Sequence, residues 1–258
     1  MNIHFTSKEL KEQLDKSTIF EIEVGSGMYG LKTSESDTDI LKIYLEGSLN
    51  LTSITNNHHQ LQYNDTENNV DYIYTSLGQF VKNIISGDST INYEVLQHPE
   101  FKKKFPNLFF FVNKLDKINT VKSYLGMAKR DLKMIKNNFS NKKLYHIGRG
   151  VLFAEAVLNS IDIFDAISEN YIKLKKIRET DDSFCSEVNF TLINLLTMKM
   201  NVLRESIKDK QFKPKSFDMV NINIEISNIY YHNPSIQPIS IDYDSLIEDA
   251  IYEEKFNY

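Results

Sequence analysis

One stretch holds most of the residues whose types and spacing could do chemistry: Gly25-Ser26-Gly27-Met28-Tyr29-Gly30-Leu31-Lys32-Thr33-Ser34-Glu35-Ser36-Asp37-Thr38-Asp39. Residues 18–24, with Ile19, Phe20, Ile22 and Val24, read as a strand running into it. A strand that ends in Gly25-Ser26 and a tight turn leaves backbone N–H groups without strand partners, and glycine lets that backbone approach an anion closely. The serine hydroxyl adds a donor, so the turn is a plausible phosphate cradle. Asp37 and Asp39 lie two apart on the next expected strand, residues 37–45, so both side chains project from one face. Neighbouring carboxylates repel each other, which is costly unless a cation sits between them. Oxygen-only ligands favour Mg2+ or Mn2+, ions that also bind substrate phosphates. Asp71 lies at the start of a third expected strand, residues 70–74. If that strand pairs beside the Asp37 strand, a third carboxylate reaches the same place. Three carboxylates beside a phosphate cradle are the parts of a two-metal phosphoryl-transfer site. Gly-Ser alone or Asp-x-Asp alone is common; the specificity lies in their order and in the 11-residue step from Ser26 to Asp37.

The elements that must position these residues follow from periodicity and capping. Residues 8–16 read as a short helix with Ser7 as N-cap. Residues 52–69 are polar and read as loop, His58-His59 included, rather than as a metal site. Thr75 or Ser76 can cap a helix over 77–85, and Gly87-Asp88-Ser89 stops it and caps another over 90–97. Beyond Pro99 and Pro106 strand patterns vanish and helical periods take over. Leu125, Ala128, Leu132 and Ile135 form one buried helix face, with Lys122, Lys129, Lys133 and Lys136 on another. Leu144, Ile147, Val151, Ala154 and Leu158 repeat the pattern, and Lys142, His146 and Arg149 share a face of that helix. Residues 184–208 read as a helix, 219–241 as a short hairpin or ordered loop, and 245–256 as an acidic helix. The fold class expected is α+β: a mixed sheet flanked by helices, then a mainly helical part. The division is placed at residues 1–115 and 116–258.

Composition bounds the possibilities. The 258 residues are 41% hydrophobic and 25% charged, close to a globular average. No run approaches the ~20 apolar residues of a membrane span, and the first residues lack a basic stretch followed by an apolar core, so neither a membrane partner nor a secretory leader is expected. Cys185 is the single cysteine, which excludes a disulfide framework and a multi-cysteine zinc site and favours a cytoplasmic home. The net charge of −5 conceals an asymmetry. Residues 101–150 carry 13 Lys or Arg against Asp116 and Asp131, a local excess of +11, which leaves −16 for the rest. A basic middle in an acidic chain suits an anionic partner, although a solvated helical surface has the same signature.

The segment resembles the signature of the DNA polymerase beta-like nucleotidyltransferase superfamily. Within it, Gly-Ser-x-x-Tyr-Gly followed by Glu-Ser-Asp-x-Asp is similar to the RNA-repair-associated, RlaP-like group. Val70-Asp71-Tyr72-Ile73, Gly87-Asp88-Ser89 with the helix after it, Gly126-Met127-Ala128 and Lys142 to Arg149 extend the likeness across about residues 18–160. The resemblance implies a catalytic domain at 1–115 and a helical substrate- or nucleotide-binding domain at 116–258. It implies that Gly25 and Ser26 hold the triphosphate of a nucleotide such as ATP, that Asp37 and Asp39 bind both metals, and that Asp71 binds the catalytic metal and helps activate the attacking hydroxyl. Lys142, His146 and Arg149 would contact the nucleotide, with a polar helix face as the alternative. Ser36 and Tyr29 join the nucleotide-binding set, though Tyr29 could equally pack beneath the turn. Gly27 stands where the group often has a larger residue, so Lys32 or the basic middle would supply the missing phosphate contact. The expected reaction moves a nucleoside monophosphate from a triphosphate to an acceptor hydroxyl, with pyrophosphate leaving. The acceptor expected is a nucleic-acid end, RNA above all. A protein or small-molecule acceptor, or a catalytically silent nucleotide-binding module, is the alternative. Oligomeric state has no sequence signature here.

Overall fold

The computed structural model describes residues 2–34, 36–47, 60–180, 187–211, 216–243 and 245–246. The fold is α+β. Five strands, β1 (Asn2–His4), β2 (Thr18–Glu23), β3 (Thr38–Tyr44), β4 (Gln60–Asp65) and β5 (Val70–Ser76), form one mixed sheet in the order β1-β4-β5-β3-β2. β3 and β5 run parallel, as do β1 and β4, while β2 pairs antiparallel to β3 and β4 to β5. Helix α1 (Lys8–Lys16) lies between β1 and β2. It begins at Ser7, whose hydroxyl accepts from the Leu10 N–H at 3.2 Å.

Alternation along the strands divides the sheet into two faces. Leu41, Ile43 and Leu45 of the β3 segment join Phe20 and Val24 in the main core, all nearly inaccessible. Burying each such side chain contributes roughly 1.5–3 kcal/mol. The intervening Tyr44 turns to the opposite face, where Ile3, Phe5, Leu14, Leu61, Tyr74 and Ile239 make a second cluster. On that face Lys42 is held by Asp15 at 2.7 Å and Glu21 at 3.2 Å.

The sheet is followed by α2 (Leu77–Ser86) and α3 (Thr90–Gln97), capped by Ser76 and Ser89. Then come α4 (Pro99–Lys104), α5 (Pro106–Asn113), α6 (Ile118–Asn137), α7 (Asn141–Leu158), α8 (Ile163–Glu179), α9 (Glu187–Ile207) and α10 (Ser216–His232). The α6 face of Leu125, Ala128, Leu132 and Ile135 is buried as expected. The main core runs without a break from the β2 residues into α6, α7, α8 and α10.

Two expectations fail. The polar stretch expected as loop contains β4, which pairs with both β1 and β5. Its polarity concealed a period of two in which only Leu61 and Tyr63 face apolar neighbours. The stretch expected as a short hairpin or ordered loop is, up to His232, part of α10. Ile222, Ile224 and Ile226 occur every second residue, but the buried isoleucines, Ile222, Ile226 and Ile229, step by four and three, while Ile224 is exposed. His58-His59, Cys185 and the acidic tail after Leu246 lie outside the described residues.

Candidate active site

The turn after β2 is built by backbone geometry. Val24 still donates to the Asp39 carbonyl at 2.9 Å. Gly25 then takes φ +71°, a conformation that L side chains rarely adopt, and a Cβ there would stand 3.4 Å from Asp39 Oδ2. The bend therefore presses directly on a carboxylate. The Ser26 carbonyl accepts from Tyr29 and Leu31, closing a short 3-10 turn over Gly27–Tyr29. Among the described residues, the Ser26 hydroxyl and the N–H groups of Gly25, Ser26 and Gly27 have no hydrogen-bond partner. These are the donors an anion cradle needs.

The carboxylates come together through strand register. Asp39 on β3 is the direct partner of Asp71 on β5, and paired residues of parallel strands project to the same side. Asp37, expected on this strand, lies one residue before β3 begins, near enough for its charge to act on Asp39. Asp37 is exposed and the other two are half-buried. Burial raises the Asp39 carboxyl above the ordinary carboxylate range, and the charges of Asp71 and then Asp37 raise it further, opposed by Lys142 and Lys32. Among the described residues no three His, Cys, Asp or Glu side chains form a ready-made cage for an ion. The donor set nevertheless fits an oxygen-preferring divalent cation: Asp39 feels the charges of Asp71 on the adjacent strand and of Asp37 just before its own, and a cation would relieve that repulsion.

Cations from the helices gather beside this edge, with Lys142 the one that acts on Asp39. Lys142 is exposed at the start of α7 and near enough to act on Asp39. One and two turns on, His146 and Arg149 share its face. Burial, and then the charges of Arg149, Arg178, Lys142 and Arg130, lower the His146 imidazole to about 3. His146 is therefore neutral at physiological pH. Its Nδ1 is 3.8 Å from Asp131, too far for a hydrogen bond. Arg149 passes under the turn, with its guanidinium 5.7 Å from the centre of the Tyr29 ring and 5.5 Å from that of Tyr145. Burial works against its charge, but the Glu94 carboxylate, together with Tyr145, Tyr29 and Tyr124, more than offsets that and holds it protonated.

Other expected residues occupy defined places. Of its two possible roles, Tyr29 shows the packing one. It is buried, its hydroxyl donates to Glu94 at 2.8 Å, and its ring lies against Phe153 and Phe164. Lys32 is engaged by Glu23 at 3.1 Å and by the Thr38 hydroxyl. A Cβ on Gly27 would run into the Glu23 side chain, so that glycine leaves room for the Glu23–Lys32 pair. The Ser36 hydroxyl accepts from the Thr33 N–H at 3.1 Å and from Arg178 at 3.1 Å.

Arg178 was not among the expected site residues. It sits near the end of α8, links that helix to the Asp37 segment through Ser36, and has a buried Nε with no hydrogen-bond partner among the described residues. In the sequence nothing separates it from Lys173, Lys175 and Lys176 beside it. Glu94 was missed too. Tyr29 and Tyr124 both donate to it, the latter at 3.3 Å, and it is 1% exposed. A single acid inside the apolar run Tyr93-Glu94-Val95-Leu96 was its available signal.

Acids on strand ends, cations on helices and a glycine turn between them are the requirements of phosphoryl chemistry of the DNA polymerase beta type. The chain belongs to RlaP, the RNA repair pathway DNA polymerase beta family, whose match covers residues 3–176. The family is one of DNA polymerase beta-like nucleotidyltransferases. The matched span includes the turn, the three carboxylates and the α7 cations, and ends just before Arg178. No curated protein and no solved structure matches the chain. Among the described residues no helix is long and apolar enough to cross a membrane.

Proposed function

We propose that the protein transfers a nucleoside monophosphate from a nucleoside triphosphate to a hydroxyl at a nucleic-acid end, RNA being the favoured acceptor, with Mg2+ or Mn2+ as cofactor. The observation that carries this reading is the pairing that sets Asp39 beside Asp71, with Asp37 and Lys142 near enough to act on Asp39, next to the Gly25-Ser26 turn. The turn's unpaired N–H groups and the Ser26 hydroxyl bind the terminal phosphates. Lys142 and Arg178 neutralise them from the helical side, with Arg178 positioned by Ser36. Asp37, Asp39 and Asp71 would hold the metal ions, which when bound supply charge stabilisation to the reacting phosphate and a lowered pKa to the attacking hydroxyl. Asp71 accepts the proton of that hydroxyl. The acceptor oxygen bonds to the α-phosphorus in line, and the bond to the bridging oxygen breaks with its electron pair leaving on pyrophosphate.

The test is to incubate the protein with Mg2+ or Mn2+ and each α-labelled triphosphate, adding RNA, DNA or cell lysate. Label on an RNA end, lost in Asp39→Asn, is the expected result. Label only on protein or small molecules would replace the acceptor. Absence of label with every acceptor, together with absence of triphosphate binding, would overturn the reading.

A further inference from the structure

The sheet face that holds the carboxylates has two halves of opposite character. Over β2 and β3 it is apolar and covered by helices. Over β4 it is lined by side-chain amides. Asn64 pairs with Asp71 and Gln62 with Ile73, so Gln60, Gln62 and Asn64 all project to the side of Asp71. At about 3.4 Å per residue, Gln62 and Ile73 lie about 7 Å along the strands from the carboxylate position. There a cleft of about 640 Å³ opens between the sheet, the α2–α3 turn and α6. Gln60, Gln62, Gln79, Asn83, Ser123 and Arg130 supply most of its polar lining. Gln79 donates to Asn83 Oδ1, while its own Oε1 is buried with no hydrogen-bond partner among the described residues. The cleft's one acid, Asp88, already accepts from the Ser86 hydroxyl at 2.7 Å.

This lining suits a particular chemistry. Amides present a donor and an acceptor in one plane, which is how side chains read the edges of an unpaired base. A buried amide oxygen without a partner is costly until a ligand N–H reaches it. Arg130, whose side chain is 67% exposed while its Nε is held by the buried Asp131 at 3.1 Å, lies at the end of the cleft toward His146, on which it also acts. The exposed Lys129 and Lys133 lie on the neighbouring strip of α6 and carry the positive surface onward. The volume suits one nucleotide rather than a duplex.

We propose that this cleft is the acceptor subsite: it takes the terminal nucleotide of a single-stranded nucleic acid, with the base against Gln62 and Gln79, the adjoining phosphate at Arg130 and the terminal hydroxyl directed at Asp71. The role as acceptor subsite rests on the transferase reading; the binding of a single-stranded end does not.

Fluorescence anisotropy of the full chain with a 5′-labelled ten-nucleotide RNA tests it. Gln62→Leu and Arg130→Ala each weaken binding about tenfold, and Arg130→Ala lowers the salt slope by about one. Lys16→Ala, an equal loss of charge on α1, leaves affinity unchanged. Triphosphate affinity stays within twofold in all three, and in turnover the two cleft variants raise KM for the RNA but not for the triphosphate. Gln62 and Arg130 are not core residues, and circular dichroism checks that the variants fold. Unchanged RNA affinity in both cleft variants overturns the proposal while leaving nucleotidyl transfer intact. So does a wild-type protein that labels other acceptors and binds no RNA. If the cleft variants lose RNA while no triphosphate is ever turned over, the transferase reading fails and the nucleic-acid cleft stands.

Discussion

The acidic edge and the cationic wall of the site are held in different ways. The acids sit on strand ends, where a two-residue step and one strand pairing determine their side and their neighbours. The cations are gathered from two helices, and the group that ties Arg178 into place, Ser36, is 142 residues away in the chain. The edge is local and tolerant; the wall depends on how α7 and α8 dock. Removing an acid should therefore cost chemistry with little cost to folding, whereas disturbing the supports of the wall should cost folding as well.

The largest effect is expected at the edge. Asp39→Asn should lower transfer by at least about 10³-fold, some 4 kcal/mol of transition-state stabilisation, with circular dichroism unchanged. A folded Asp39→Asn protein of undiminished activity would remove Asp39 from the mechanism. Next comes the wall's foundation. Glu94→Ala strips the partner from two tyrosine hydroxyls and the counter-charge from Arg149. A loss of about 3 kcal/mol in denaturant unfolding is expected, and a loss below about 1 kcal/mol would mean that the network contributes little.

Smaller effects sharpen the contrast. Arg178→Ala should reduce kcat/KM for the triphosphate about 10- to 100-fold with a minor change in stability, and Arg178→Lys should restore only part of it, because a point charge cannot both bond Ser36 and fork onto phosphate. Equal activity of all three proteins would leave Arg178 a structural link. His146 gives a pH signature. Its folded value, about 3, lies below its unfolded value near 6.5. Its contribution is thus fully present above pH 6.5 and drains away as pH falls towards 3. His146→Gln should show a flatter decline of Tm between pH 7 and 5 than the wild type. The smallest effect returns to the edge. Since Asp39 is raised by burial and by its acidic neighbours, its ionisation penalises the metal-free fold above its usual range, and Asp39→Asn should raise Tm by about 1–2 °C at pH 7. Mg2+ should raise the wild type's Tm and leave the variant's nearly unchanged.

The strand, turn and Asp-x-Asp series was legible because each step is short-range: β-branched runs, a glycine at positive φ, and a period of two. Asp71 was legible as a strand-borne acid, but its partnership with Asp39 needed the parallel pairing of β3 with β5. β4 was illegible because a strand with one amide face looks polar throughout. α10 was illegible because one isoleucine spacing fits two periods. Tyr29 read as either pocket or packing, and the buried Glu94 decided for packing.

By itself the sequence determined the acids, the glycine turn, their order and the α+β succession, since those depend on contacts within a few residues. Only tertiary structure decided which cations face the acids, where Arg178 lies, and that the carboxylate face continues into an amide-lined cleft. Those features arise from helix docking and strand register, and their free energy is spread over a core that runs from β2 to α10, so no local pattern records them.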